Sequence, residues 1–219
     1  AREAQPLPAS TGDAPAAASG QPWPSPAYGW YVVPLLVMGY AFGVVDRIII
    51  GLLVQPIKAD LQLTDTQIGL IQGLAFALFY SIFTLPIGIL VDRWRRTTVV
   101  WAGVAAWSVA TISCGLSKSF GSLFTARVLV GAGEATTMPG SSSLIADLFP
   151  PHQRPRAYGV YNMGGSLGIG IAYLIGGVAI GFATTVQEAL PALLGGYAQW
   201  HILFFLVGVP GVFLAALMA

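Results

Sequence analysis

The sequence has few charged residues and a single cysteine. Only 9% of its 219 residues are charged, whereas a soluble domain carries about 25%. The one cysteine, Cys114, excludes a disulfide within the chain. The formal net charge is +1, so the strongly basic balance typical of nucleic-acid-binding proteins is missing. These deficits exclude an ordinary soluble domain and a disulfide-linked scaffold, and we expect no nucleic-acid partner.

What the sequence has instead is long apolar stretches. A helix needs about 20 mostly apolar residues to cross a bilayer, and six stretches meet this requirement. They are Tyr28–Val54, Gln67–Val91, Thr97–Leu116, Phe120–Ala146, Arg156–Thr184 and Trp200–Met218. We therefore predict an all-α membrane protein with six spans within residues 28–219, and an irregular connection after the fifth span. Residues 1–27 are rich in Ala, Pro, Ser and Gly, and we predict a disordered cytoplasmic tail there.

The distribution of Lys and Arg among the loops predicts how the spans are oriented, because cytoplasmic loops carry an excess of these residues. The second–third and fourth–fifth loops hold Arg93, Arg95, Arg96, Arg154 and Arg156, and the opposite side holds only Lys58 and Lys118. The arginine-rich loops and the N-terminus are therefore predicted to be cytoplasmic. The short loops favour a bacterial inner membrane.

Four charged residues interrupt the spans: Asp46 and Arg47 in the first, Arg127 and Glu134 in the fourth. Such a charge costs at least ~2.5–3.5 kcal/mol on insertion scales, so it is expected to face a cavity and to have a partner. At 1.5 Å per residue, Asp46 and Arg127 lie at a similar depth and Glu134 lies about 10 Å deeper. We therefore predict that Asp46 pairs with Arg127 and that Arg47 reaches Glu134.

These four residues allow two interpretations. They could merely hold the first and fourth spans together, or they could carry a coupling ion. Buried ion pairs are poor stabilisers because desolvation offsets much of the attraction. The protonation of Glu134 depends on its burial and on a neighbouring arginine, which is what proton coupling requires. We favour the second interpretation, in which protonating Glu134 releases Arg47.

The end of the second span carries a further pattern, GILVDRWRR, over residues 88–96. An arginine cluster alone is typical of any cytoplasmic loop. Gly88, three residues before the Asp92–Arg93 pair, makes the pattern more specific, since glycine permits a close helix approach. Asp92 could then meet the N-terminus of another helix and its partial positive charge.

Three motifs resemble signatures of the major facilitator superfamily. The first, GILVDRWRR, is similar to G-x-L-x-D-R-x-G-R-(K/R), although Arg95 replaces the usual Gly and Thr97 replaces the last basic residue. RVLVGAGEA, residues 127–135, is similar to the helix-four motif whose Arg is linked to proton transfer, and residues 147–156 are similar to the second cytoplasmic motif. The resemblance implies a conformational switch formed by Gly88, Asp92, Arg93, Arg96, Asp147 and Arg154.

Longer strings resemble Spinster-like sphingolipid and lysolipid transporters, namely VVDRIIIGLLVQPIKADLQLTDTQIGLIQGLAF, GILVDRWRR and VGAGEATTMPGSSSLIADLFP. The resemblance implies proton-coupled alternating access for an amphiphilic substrate, with Asp46, Arg47 and Glu134 as coupling residues. Substrate would contact Arg47, Glu134, Tyr161 and Asn162. We expect no cofactor other than the proton, and no metal.

The same resemblance implies a half-transporter. The six spans would form two inverted repeats of three helices each. The embedded charges agree with this, because they lie in spans one and four, the first span of each repeat. A second six-helix half, absent from this chain, would complete a 12-helix fold. The expected partners are this second half, membrane lipids and a small amphiphilic substrate.

Other functions remain open from the sequence. A major facilitator for another small organic anion or a drug would carry the same motifs, and a non-transporting membrane receptor is a third class.

Residues 164–168 match G-x-S-x-G, so Ser166 and His201 suggest an intramembrane serine protease. However, Ser166 is expected about 15 Å into the fifth span from the cytoplasmic side, whereas His201 opens the sixth span at the other side. A nucleophile and its base must lie within about 3 Å of each other, so the difference in depth between Ser166 and His201 argues against a protease.

Overall fold

The computed structural model describes residues 23–189 and 196–219, and the secondary structure in these ranges is helical. The helices are α1 (Pro26–Leu52), α2 (Val54–Asp60), α3 (Asp65–Gly69), α4 (Ala75–Arg93), α5 (Arg96–Gly115), α6 (Phe120–Glu134), α7 (Thr137–Leu148), α8 (Arg154–Ala189) and α9 (Gln199–Met218). A π-helical turn, Leu70–Leu74, joins α3 to α4 without a break. The predicted all-α class is confirmed.

The six predicted spans correspond to α1, α3–α4, α5, α6–α7, α8 and α9. By length and composition, four helical segments of the described chain could cross a membrane, namely Pro26–Leu52, Asp65–Arg93, Arg96–Gly115 and Gln199–Met218. The fifth predicted span is the Gly-rich α8, which has 36 residues. The predicted end of this span at Thr184 is wrong, since the helix continues to Ala189.

The first helix starts earlier than predicted. It begins at Pro26, and the Ser25 hydroxyl accepts a hydrogen bond from the Tyr28 backbone N–H at 3.4 Å. Proline suits a helix start because the N–H it lacks would have no partner there. Two residues of the predicted tail are therefore helical. Residues 1–22 of that tail lie outside the described residues.

The fourth predicted span is interrupted directly after Glu134. α6 ends at Glu134 and α7 begins at Thr137. The cause is Pro139, which has no N–H to donate to the carbonyl four residues earlier, at Ala135, and whose ring crowds that carbonyl. The sequence predicts a bend at Pro139, and the interruption one turn before it confirms this. Glu134 consequently lies at a helix end inside the bundle.

The helices pack in pairs that agree with two inverted repeats. α1 packs mainly against α8, α4 mainly against α6, and α5 mainly against α9. Two such repeats relate spans one, two and three to spans four, five and six. The contact of α1 with α8 then corresponds to the contact of α6 with α4, and the contact of α5 with α9 corresponds to itself. Small residues allow the close contacts: a Cβ at Gly168 in α8 would lie 2.6 Å from the Ala41 carbonyl oxygen of α1.

Among the described residues the apolar core has two large clusters, one toward each end of the bundle, and a small third cluster around Val91 and Val99. The large cluster at the arginine-rich end includes Val33, Leu36 and Ile145. The other large cluster includes Ile49 and Leu123. α1 contributes to both large clusters, which positions the middle of this helix, with its embedded charges, inside the bundle.

Candidate functional site: the charged pairs between α1 and α6

The first charged pair, Asp46 with Arg127, is completely enclosed. Arg127 Nη1 lies 2.7 Å from Asp46 Oδ2, and the Thr111 hydroxyl of α5 donates a hydrogen bond to Asp46 Oδ1 at 2.9 Å. Both charged side chains are 1% exposed. The predicted pairing is confirmed. Each carboxylate oxygen of Asp46 thus has a donor from a different helix. The pair connects α1, α5 and α6 and is closed to solvent.

The second pair, Arg47 with Glu134, lies in a different environment. Arg47 Nη2 is 2.8 Å from Glu134 Oε1, and the arginine side chain is 38% exposed while the carboxylate is 3% exposed. Glu134 Oε2 has no hydrogen-bond partner among the described residues. This pairing is also confirmed. One carboxylate oxygen therefore has unused acceptor capacity, and solvent can reach the arginine.

Aromatic rings hold the arginines in place. The Arg47 guanidinium lies 5.0 Å from the centre of the Phe76 ring and 5.2 Å from the centre of the Tyr80 ring. Arg127 lies 5.5 Å from the same Phe76 ring. All three distances fall within the range of cation–π attraction. Phe76 thus contacts both charged pairs from α4.

Glycine makes room for the carboxylate. A Cβ at Gly43 of α1 would meet Glu134 Oε1 and would lie 3.2 Å from its Cδ. Gly131, about one turn before Glu134, instead lets α6 approach the α4 backbone, since a Cβ there would lie 2.8 Å from the Phe76 carbonyl oxygen. Any larger residue at Gly43 would displace the carboxylate from its present position.

A small polar pocket adjoins the second pair, with a volume of about 50 Å³. Its lining consists of Tyr40, Arg47, Tyr80, Glu134, Thr137, Met138 and Tyr161. The Tyr161 ring stacks on Tyr40 with centres 5.2 Å apart, so the structure brings Tyr161 to this site. Asn162 is exposed and does not line the pocket. A water molecule occupies about 30 Å³ in liquid water, so a pocket of this size can hold one.

The arginine-rich end contains a separate polar cluster. Arg96 forms an ion pair with Asp147 and also contacts the Ser143 carbonyl oxygen at 3.4 Å. Arg154 donates hydrogen bonds to two carbonyl oxygens near the end of α7, those of Phe149 at 2.9 Å and Ala146 at 2.8 Å. These bonds satisfy carbonyls that a helix end leaves free. The cluster connects α5, α7 and α8.

The other members of the predicted switch are not part of this cluster. Asp92 and Arg93 are exposed and form no ion pair within the described part of the chain. Among the described residues, no atom of another helix lies within 4 Å of a Cβ built on Gly88. The close helix approach predicted at Gly88 is therefore wrong for the residues described. The switch role of these residues stays a prediction.

The protease alternative has no matching geometry. Ser166 is exposed on α8. His201 is buried in α9, where its Nε2 lies 3.2 Å from the Ser117 carbonyl oxygen and its ring packs 3.6 Å from Trp200. His201 thus contacts Ser117 and Trp200, whereas Ser166 is exposed on a different helix.

Sequence reasoning missed three residues that shape the site: Thr111, Phe76 and Gly43. Thr111 is a hydroxyl in an otherwise apolar span, and this could have marked it as a partner for a buried charge. Phe76 and Tyr80 are four residues apart and therefore share a helix face. Gly43 gave no distinctive signal because it is one of 27 glycines in the sequence.

Comparison with known proteins identifies the family. Residues 23–219 match the Major Facilitator Superfamily. Two similar proteins are the hexuronate transporter of Bacillus subtilis, 30% identical over 79% of this chain and 41% of that protein, and protein spinster of Drosophila melanogaster, 28% identical over 80% of this chain and 29% of that protein. The chain thus spans less than half of these relatives.

The solved structures agree with this assignment. A bacterial homologue of the human lysosomal transporter Spinster, in an inward-facing and unoccupied conformation, superimposes with a TM-score of 0.83 at 34% identity, over 89% of this chain and 43% of that one. The match extends over most of the bundle described above. The chain therefore belongs to the Major Facilitator Superfamily and resembles Spinster within it.

Proposed function

We propose that this chain forms the N-terminal half of a proton-coupled transporter that moves an amphiphilic, lipid-like substrate by alternating access. The observation that carries the proposal is the asymmetry of the Arg47–Glu134 pair. Glu134 is buried and has one oxygen without a partner, whereas Arg47 is partly exposed beside a polar pocket. A proton on Glu134 would remove the charge that holds Arg47 and free the guanidinium to bind an anionic headgroup.

The proposed cycle depends on a second half. A transporter's substrate site lies between its repeats near the middle of the membrane, and the Arg47–Glu134 pocket would open toward that interface. The exposed Asp92 would contact the second half near the arginine-rich end. This end, with five arginines against two lysines at the other, is placed in the cytoplasm by the positive-inside rule. The membrane is proposed to be a bacterial inner membrane.

Glu134→Gln in the complete transporter, reconstituted in liposomes, tests the proposal. Glutamine keeps the shape of the side chain but cannot ionise. Uptake of a labelled lysolipid should lose its dependence on pH and on an imposed proton gradient, while substrate binding without a gradient persists. Glu188→Gln, the same change at an exposed position of α8, serves as the control and should keep the wild-type pH profile. A Glu134→Gln transporter whose pH profile equals that of the wild type would disprove the coupling role.

The second candidate is transport of another small organic anion or a drug by the same mechanism. It is favoured by the similarity to a hexuronate transporter, a protein for a sugar acid, and by the small size of the polar pocket, about 50 Å³ in this half. Competition between labelled lysolipid and hexuronate in the same liposomes separates the candidates. Inhibition by hexuronate at concentrations where lysolipids have no effect would favour the anion.

A further inference from the structure

A long apolar groove lies between α4 and α5, away from the charged pairs. It has a volume of about 480 Å³, and its lining includes Ile87 and Leu90 of α4, Ala106 of α5 and Ala132 of α6. Ala132 and Glu134 are two residues apart on α6 and therefore point ~200° from each other. The groove thus opens on the opposite side of α6 from the Arg47–Glu134 pocket.

The dimensions of the groove suit an extended hydrocarbon chain. Its α5 lining runs from Thr98 to Ser113, which corresponds to ~22 Å along the helix axis. One leaflet contributes ~15 Å of the ~30 Å hydrocarbon core. Small residues, among them Ala102, Gly103 and Ala106, form part of the lining. Since the bundle crosses the membrane and this face points away from the polar interior, hydrocarbon rather than water would fill the groove.

One end of the groove is basic. Trp94, which lines it there, is 64% exposed. Arg93 and Arg95 flank Trp94, are exposed, and form no ion pair with any residue in the ranges 23–189 and 196–219. Arg95 stands where the family motif has glycine, and the cytoplasmic motif gives it no function. Two unneutralised arginines and an exposed tryptophan at a membrane interface complement an anionic headgroup.

We propose that the groove holds an acyl chain of an anionic phospholipid, with the headgroup phosphate against Arg93 and Arg95. This lipid is a resident of the outer face of the bundle and is separate from the transported substrate, whose site lies on the other side of α6. The proposal requires only that the chain spans a membrane. It does not depend on proton coupling or on the substrate class.

The test is native mass spectrometry of the complete transporter supplied with equal amounts of phosphatidylglycerol and phosphatidylcholine. One retained phosphatidylglycerol is expected. Ala106→Phe fills the groove and should abolish retention. Ala216→Phe, the same change at an exposed position of α9, should retain the lipid. Arg95→Gln should reduce the preference for phosphatidylglycerol severalfold, and Glu134→Gln should leave retention unchanged.

A second measurement avoids changing the groove. Brominated phosphatidylglycerol should quench tryptophan fluorescence more strongly in the wild-type transporter than in Trp94→Phe. Equal lipid retention by Ala106→Phe and Ala216→Phe, or equal quenching with and without Trp94, overturns the proposal. A dimer that disappears in Ala106→Phe would assign the groove to a second copy of the chain and also overturn it.

Discussion

The two charged pairs have the same chemistry but different surroundings. Each joins α1 to α6 through an arginine and a carboxylate, with N–O distances of 2.7 Å for Arg127–Asp46 and 2.8 Å for Arg47–Glu134. The first pair is 1% exposed and both oxygens of its carboxylate have donors. In the second pair, the arginine is 38% exposed and one carboxylate oxygen has no partner.

This difference separates a structural contact from one that can open. A charge that loses its partner in a closed site stays buried without compensation, which makes breaking the first pair strongly unfavourable. At the second pair, water in the adjoining pocket can replace one hydrogen bond with little loss of enthalpy. We therefore expect mutations at the first pair to reduce stability and mutations at the second to reduce transport.

The largest expected effect is that of Arg127→Met in the complete transporter. It leaves the Asp46 carboxylate buried without its cation, and the free energy of unfolding should fall by about 3–5 kcal/mol. Chemical denaturation in mixed micelles measures this. Arg47→Met is the matched variant and should lose less, because its partner adjoins a pocket. The double variant Asp46→Leu, Arg127→Met should recover part of the loss. Equal losses for both arginines would contradict the comparison.

A smaller loss is expected for Thr111→Val, which removes the donor to Asp46 Oδ1 while keeping the shape of the side chain. A hydrogen bond to a charged group contributes about 1.5–3 kcal/mol. Thr125→Val is the control, since Thr125 is exposed and its hydroxyl donates a hydrogen bond to the Gly121 carbonyl oxygen of its own helix. The same denaturation assay should show almost no change for the control. A loss in Thr125→Val as large as in Thr111→Val would argue for a general effect of valine.

Gly43→Ala tests the second pair. The added Cβ meets Glu134 Oε1, so the carboxylate must shift, at about 1–3 kcal/mol for overpacking. Transport should fall more than stability does. Gly39→Ala, one turn earlier on α1, is the control, because the nearest atoms to its Cβ are 4.0 Å away. Initial uptake rates and unfolding curves are compared for both variants. Normal uptake by Gly43→Ala would show that the position of Glu134 is not critical.

The smallest expected effect is that of Phe76→Leu, which removes the ring that faces both arginines. Cation–π attraction contributes about 0.5–2 kcal/mol, depending on exposure. A double-mutant cycle with Arg47→Met and with Arg127→Met measures how the effect divides between the pairs. The more deeply buried Arg127 should show the larger coupling energy. Phe213→Leu, at an exposed position of α9, controls for loss of a ring. A coupling energy near zero with both arginines would remove Phe76 from the site.

The partners of the embedded charges could be predicted from the sequence because helices are nearly rigid. A rise of 1.5 Å per residue fixes depth once the direction of each span is known, so Asp46 could be matched to Arg127 and Arg47 to Glu134. Depth does not give rotation or the neighbours on a third helix. Thr111 and Phe76 were therefore missed, and the contact expected at Gly88 is not made by the residues described.

Helix ends were less predictable than helix positions. The end of α8 was placed at Thr184, yet the helix continues to Ala189, since apolarity marks membrane depth and not the end of backbone hydrogen bonding. The interruption after Glu134 was better signalled. Pro139 removes a donor in any helical setting, and this local effect requires no tertiary contact.

The sequence by itself determined that this protein is a helical membrane protein with two acids and two arginines inside its spans, and its motifs pointed to the superfamily. These features follow from composition, periodicity and spacing along one chain. Only the tertiary structure decided which pair is closed and which is open. That difference depends on Thr111 of α5 and the aromatic rings of α4, which come from other helices, and on Gly43 of α1, which faces Glu134 across the helix contact. It also depends on the pocket that adjoins Glu134 but not Asp46.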